Sequence, residues 1–228
     1  GCTTEAMDRA ARNGHLPVVE WLQSKRSENY TIWALDRAAF NGHLAVMKWL
    51  HTTHFMGCTS FWNSTMDGAA ANGHLTVVEW LHANFSEGTT HAMDLAAKGG
   101  HLSVVEWLHT NRSEGCTSQA MDAAATNGHL LMVGWLHANR SEGSTTAAMD
   151  GAATNGHLAM VEWLHSNRSE GCTTTAMNHA AREGQLRLVE WLHSNRSEGC
   201  TTDAMDGAAG NGHLSLVEWL HANRTEGC

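Results

Sequence analysis

"AANGHLTVVEWL", residues 70–81, recurs in respelled form along the whole chain. The turn glycine that follows each Ala-Ala pair falls at Gly14, Gly42, Gly73, Gly100, Gly128, Gly156, Gly184 and Gly212. Successive steps are 28, 31, 27, 28, 28, 28 and 28 residues. A fixed period in this range is the mark of a stacked-repeat solenoid, in which each repeat touches only its neighbours. The spacing predicts eight repeats, at about 1–28, 29–56, 57–87, 88–114, 115–142, 143–170, 171–198 and 199–226, with 227–228 opening a further one. Residues 1–228 read as one such solenoid, without conventional domain boundaries.

One repeat, Gly171 to Glu198, gives the local rule. Thr173 or Thr174 suits an N-cap, and Ala176, Met177, Ala180 and Ala181 then form one apolar face of a helix of about nine residues. "REGQ" breaks it. A second helix is expected from about Leu186 to Ser194, with Leu186, Val189 and Leu192 on one stripe and Leu188 and Trp191 on another. "NRSEG" ends it. Helices this short are marginal alone in water, so each pair must be held by adjacent pairs.

The paired alanines, such as Ala69 with Ala70 and Ala208 with Ala209, allow close approach of helix axes. Bulk is expected from a column of indoles: Trp21, Trp49, Trp80, Trp107, Trp135, Trp163, Trp191 and Trp219. If each buries ~150 to 250 Å², its loss would cost about 3 to 5 kcal/mol. A packing role therefore outweighs a ligand cage for this column.

Residues 70–81 resemble the helix-turn-helix of an ankyrin repeat, with Ala-Ala, two variable residues, Gly-His, two more, then Val-Val and a Leu pair. The likeness covers every repeat. Ankyrin repeats have ~33 residues, a T-P-L-H box and a projecting β-turn; here the period is shorter and "AMD" occupies the place of the box. The resemblance thus implies an all-α solenoid of eight ankyrin-like helix-turn-helix units with reduced or absent β-hairpin fingers. It further implies that the histidine after each turn glycine fixes the turn by hydrogen bonding, that the variable first-helix positions form the concave face, and that the protein binds other proteins.

Composition narrows the function. The formal charge of −9 disfavours nucleic acid, which needs a surplus of Lys and Arg. No apolar run approaches the ~20 residues that a membrane-spanning helix requires, so no membrane insertion is expected. Seventeen histidines suggest metal, yet most fall in two columns, one after the turn glycine and one after Trp-Leu. Within a repeat the two are eight residues apart, about 12 Å along a helix, which is too far for one ion. No metal, cofactor or catalytic residue is expected, and the reading is non-enzymatic.

The Asp column (Asp8, Asp36, Asp67, Asp94, Asp122, Asp150 and Asp206, with Asn178 in the seventh repeat) reads as capping at the start of its own first helix. Six cysteines (Cys2, Cys58, Cys116, Cys172, Cys200 and Cys228) share another column a repeat apart, beyond disulfide reach, and read as free thiols. Free thiols favour a reducing compartment, so a cytoplasmic location is preferred. Against it stand Asn29, Asn63, Asn84, Asn111, Asn139, Asn167, Asn195 and Asn223, each opening N-x-S/T. A secreted form would offer them as glycan acceptors, and an extracellular fibre is the alternative.

Recognition should lie where repeats differ. The second repeat and the loop after it carry Tyr30, Trp33, Phe40, Phe55, Phe61 and Trp62, which include the only Tyr and three of the four Phe. These aromatics either anchor a protein partner or repack a degenerate repeat. The variable first-helix positions Glu5, Arg9, Arg12, Arg37, Lys98, Arg182 and Asp203 offer a second surface. Neither terminal repeat carries a polar capping face, so a longer array or end-to-end self-association is expected. Protonating all the histidines should perturb the array as pH falls through about 6.5.

Overall fold

The computed structural model describes residues 4–25, 31–53, 60–85 and 88–226; of Ser60, Phe61 and Trp62 it describes the backbone. Among the described residues there are sixteen helices and no strand. In chain order they are α1 (Glu5–Arg12), α2 (Leu16–Lys25), α3 (Ile32–Phe40), α4 (Leu44–Thr53), α5 (Ser60–Ala71), α6 (Leu75–Asn84), α7 (His91–Lys98), α8 (Leu102–Asn111), α9 (Ser118–Thr126), α10 (Leu130–Asn139), α11 (Thr146–Thr154), α12 (Leu158–Asn167), α13 (Thr174–Arg182), α14 (Leu186–Asn195), α15 (Thr202–Gly210) and α16 (Leu214–Asn223). Odd-numbered helices open the repeats and even-numbered ones close them. The fold is a helical-repeat solenoid, with two compact halves, Gly1–Thr117 and Ser118–Cys228.

In both halves the first helices pack closely on one another: α1 on α3, α3 on α5 and α5 on α7 in the first, α9 on α11, α11 on α13 and α13 on α15 in the second. Alanine makes this possible. Ala38, Ala39, Ala69, Ala70, Ala152, Ala153, Ala180 and Ala181 are fully buried, so nothing larger than a methyl group separates the backbones. The bulk between helix layers comes from Met66, Met93, Met121, Met149 and Met177 with Val78, Val105, Val133, Val161 and Val189 and the leucines Leu50 through Leu192 of the second helices.

Tryptophan does not supply that bulk. Every Trp of the repeated column is half-buried except Trp21, which is 57% exposed. The buried stripe of α14 is Leu188, Val189 and Leu192, one position round from the stripes that periodicity suggested. Leucine at the next residue takes the interior, and in several repeats a histidine of the preceding repeat meets the indole edge-on. His82–Trp107, His137–Trp163, His165–Trp191 and His193–Trp219 have ring centroids 5.2, 5.4, 5.3 and 5.2 Å apart.

The turn inside each repeat requires glycine. Gly73 has φ 73°, open to L side chains only with strain, and a Cβ there would lie 2.5 Å from Nδ1 of His101 in the next repeat. The histidine after each turn glycine therefore bridges repeats: His101 Nε2 donates to the Ala71 carbonyl, at the end of the preceding first helix, at 3.1 Å. Gln185 takes the same place beside Gly156.

The Asp column also works between repeats, and the expectation that it caps its own helix is corrected. Asp94 Oδ1 accepts from the Thr117 amide and Oδ2 from the Thr117 hydroxyl, both at 2.8 Å. Asp122 and Asp150 hold Thr145 and Thr173 in the same way, and those threonines are themselves N-caps whose Oγ1 accepts from the amides of Ala147 and Thr175. The carboxylate thus positions the residue that starts the next repeat's helix. In the seventh repeat the sense of one bond reverses: Asn178 Oδ1 accepts from the Thr201 amide, while its Nδ2 donates to Thr201 Oγ1. The third repeat solves the joint differently. There α5 is lengthened to twelve residues, and buried Thr65, in a column otherwise held by alanine, donates its hydroxyl to Asp36.

Candidate functional site

The "NRSEG" loop holds Asn, Arg, Ser and Glu beside His and Cys, the residue types of a catalytic site, and its Asn, Arg and Glu join helices and repeats together with His. Arg196 Nε and Nη2 donate to the Glu198 carboxylate, while Nη1 donates to Nδ1 of His165 in the preceding repeat at 3.3 Å. Arg112, Arg168 and Arg224 repeat the arrangement on His82, His137 and His193. Because arginine only donates, each of those imidazoles accepts at Nδ1 and carries its proton on Nε2. The guanidinium lies over the glycine that opens its own repeat: a Cβ on Gly199, φ 71°, would come 2.5 Å from Arg224 Nη2. In the third repeat, where the chain has Phe85 instead of arginine, that ring meets His51 and Trp80 edge-on at 5.6 and 6.1 Å.

Cys116, Cys172 and Cys200 are buried and form no disulfide. Burial pushes the Cys172 thiol up to about 11 and that of Cys200 upward, away from the reactive thiolate. Among the described residues no group of three or more His, Cys, Asp or Glu is placed to hold a metal ion. No helix among them is long and apolar enough to cross a membrane.

The asparagines of the N-x-S/T pattern close the second helices. Nδ2 of Asn84, Asn111, Asn139, Asn167, Asn195 and Asn223 donates to the carbonyl of the Trp four residues earlier, at 2.7 to 2.9 Å. All six side chains are exposed. Asn63 lies half-buried on α5 with Oδ1 turned inside, and Asn29 falls outside the described residues.

A surface suited to recognition lies on the first helices. Their positions i, i+4 and i+7 look outward and change from repeat to repeat: Glu5, Arg9 and Arg12 on α1, Trp33, Arg37 and Phe40 on α3, Thr175, His179 and Arg182 on α13, Asp203, Gly207 and Gly210 on α15. Between α1 and α3 they enclose an open cleft of about 560 Å³, lined by Glu5, Asp8, Arg9, Arg12, Asn13, Trp33 and Arg37. Trp33 is 57% exposed and Phe40 39% exposed. The Arg37 guanidinium stands 5.8 Å from the Trp33 ring and 5.9 Å from that of Phe40, a cation–π contact with both. Arg9 is paired with Glu5 at 2.6 Å.

Four of the nine residues expected at a partner site, Arg9, Arg12, Trp33 and Arg37, thus line one cleft, with Phe40 beside it. Tyr30 and Phe55 fall outside the described residues, as do the side chains of Phe61 and Trp62. Glu5, Asp8 and Asn13 complete the cleft; Asp8 and Asn13 match the residue most repeats carry at their positions, and Asp8 also holds Thr31 through the Thr31 amide and hydroxyl at 3.2 and 2.7 Å. A second cleft of about 520 Å³ lies between α13 and α15, lined by Thr175, Asn178, His179, Arg182, Asp203, Asp206 and Gly207.

The family model for ankyrin repeats (many copies) matches residues 7–51, 66–109 and 145–193, more than half of the chain. The chain belongs to the ankyrin-repeat family. The repeat at 115–142, outside those stretches, has the same helix pair and the same Asp–Thr joint. Among solved structures, that of the human ASB11 ankyrin repeat domain is similar, with 20% identity, 93% of this chain and 96% of that chain covered, and a TM-score of 0.42. No curated protein matches the chain. Ankyrin repeats generally mediate protein–protein interaction.

Proposed function

We propose that this chain is a non-enzymatic protein-binding scaffold whose partner docks on the outward positions of the first helices, with the α1–α3 cleft as its main anchor. The observation that carries the reading is Trp33: a large indole left open to solvent on a helix whose equivalent positions elsewhere hold Ser64, Gln119 or Ala147. Exposed aromatics beside arginine are the residues that dominate binding energy at protein interfaces. The loop residues that resemble catalytic groups are committed to joining repeats, which supports a binding role over catalysis.

Trp33→Ser should reduce capture of the partner from an extract of the source cells while leaving the melting temperature within a few degrees. Loss of folding in that variant would move Trp33 from recognition to packing. A secreted, glycosylated fibre is the second reading, favoured by the exposed asparagines that close six second helices. Intact mass before and after glycosidase treatment separates the two, since a cytoplasmic scaffold shows no mass loss.

A further inference from the structure

We infer that the α1–α3 cleft binds an acidic peptide segment, in which a carboxylate sits between Arg12 and Arg37 and an adjacent apolar side chain lies on Trp33. The inference rests on the recognition face proposed above and specifies the chemistry of its ligand.

Charge is the first argument. The chain carries a net −9, yet this cleft brings three guanidinium groups together. Only Arg9 has a carboxylate in ion-pair reach, that of Glu5. Among the described residues Arg12 and Arg37 have none. Two guanidinium groups with no ion-pair partner among the described residues, and only a longer-range attraction of Arg37 to Asp36, face one open cleft as a donor set for carboxylate.

The second argument is the indole. Arg37 rests against the face of Trp33, which holds the guanidinium in place while its N–H groups stay free to donate. An anion drawn to Arg37 arrives beside exposed apolar surface, so an acidic residue followed by a bulky apolar one meets both features. A lone small anion would leave the indole uncovered. A basic peptide would face a cleft in which three arginines outnumber two acids, and of those acids Glu5 is already paired with Arg9.

The second half provides an internal control. Its cleft has one arginine, Arg182, 4.0 Å from Glu183, and two acids, Asp203 and Asp206. It lacks both the aromatic and the positive surplus, and should not take the same ligand.

The test is fluorescence anisotropy of the whole chain with three dye-labelled hexapeptides: alternating Glu and Leu, the same with Gln for Glu, and the same with phosphoserine for Glu. The Glu peptide should bind at least about tenfold more tightly than the Gln peptide, the scale of one charge-assisted pair. Binding should weaken about tenfold in Arg12→Gln and in Arg37→Gln, weaken with added salt, and stay unchanged in Arg182→Gln. Circular dichroism melts verify that each variant folds. Equal binding of the Glu and Gln peptides, indifference to both arginine substitutions, or binding of the phosphopeptide alone would overturn the assignment. If a partner lost in Trp33→Ser is still held by Arg12→Gln and Arg37→Gln, the scaffold reading stands and the acidic ligand is wrong.

Discussion

The two helix layers of each repeat are joined to their neighbours by different physics. Between first helices the joint is a run of fully buried alanines and methionines closed by a carboxylate on a threonine, with no room and no spare donors. Between second helices the joint is open: half-buried indoles meet imidazole edges, and arginines reach back across the loop. A tight layer tolerates little change at its contact surface, while the residues on its opposite face differ from repeat to repeat. That is why the candidate recognition residues lie on the first helices, while the more conspicuous Trp, His, Asn and Arg columns belong to the scaffold.

The comparison breaks most clearly with size. Ala152→Leu forces extra side-chain atoms, or their equivalent in backbone shift, into the fully buried contact among α9, α11 and α13, and should destabilise by about 3 kcal/mol. Trp163→Leu removes a larger volume from a half-buried site. Its main loss is the His137 edge contact and part of an apolar cover, so it should cost only ~1 to 2 kcal/mol. Urea midpoints of the two variants decide; a larger loss for Trp163→Leu would mean that the indoles, and not the alanines, hold the array.

The next expected effect concerns the Asp–Thr joint. Asp94→Ala strands the amide and hydroxyl of Thr117 and should cost about 2 kcal/mol. Asp94→Asn should cost less than ~1 kcal/mol, because Asn178 already serves Thr201. If Asn proves as damaging as Ala at this position, the reversed bond in the seventh repeat depends on something peculiar to that repeat.

Much of the fold is readable in the sequence because the Ala pair, the turn glycine and the Leu pair each have a single physical use, and their common period needs no structure to measure. The burial order is not readable. Leu186, Leu188, Val189, Trp191 and Leu192 are all apolar, and when two adjacent stripes of a helix are apolar, periodicity alone does not say which faces inward. The role of Asp94 was hidden for another reason: its acceptor oxygens serve a residue 23 positions away, which local capping rules never consider. The cleft was partly legible, since Arg9, Arg12, Trp33 and Arg37 depart from their columns. Asp8 and Asn13 carried no signal, because they match theirs.

Acid should distinguish the layers more weakly. Burial, aided by the nearby His43 and His101, pulls the His74 imidazole below its ordinary range, against the Phe40 carbonyl bond that favours its charged form. A base depressed in the folded state contributes stability that is present above its unfolded value of about 6.5 and lost as pH falls below it. Glu114, Glu170, Glu198 and Glu226 are held below the usual carboxylate range, chiefly by hydrogen bonds from their arginines, so the loop joint survives until pH drops through about 4.5 and lower. Asp36 and Asp67 oppose that loss, since burial raises both and protonation relieves them. His74→Gln, which copies the residue that Gln185 places in the same column, should therefore flatten the fall in melting temperature between about pH 7.5 and 5.5 and leave the later fall near pH ~4 intact. An unchanged profile above about pH 5.5 would remove His74 from the account.

The smallest effect has the opposite sign. Helix α10 reads LLMVGWLHAN, and Gly134 occupies the outer position held by Glu79, Glu106 and Glu162 in other repeats. Its neighbour Leu131 is 83% exposed, and a Cβ on Gly134 would meet nothing within 4 Å. Glycine here loses backbone entropy on folding and gains no close contact in return. Gly134→Ala should therefore stabilise the chain by about 0.5 to 1 kcal/mol, read as a higher urea midpoint with an unchanged slope. The equivalent substitution at Gly151, on the tight layer, should do the reverse, because its Cβ would press into the Thr126 side chain. If both alanines stabilise, the first-helix layer has more room than its packing implies; if both destabilise, the outer face of α10 is engaged by something beyond this chain's own helices.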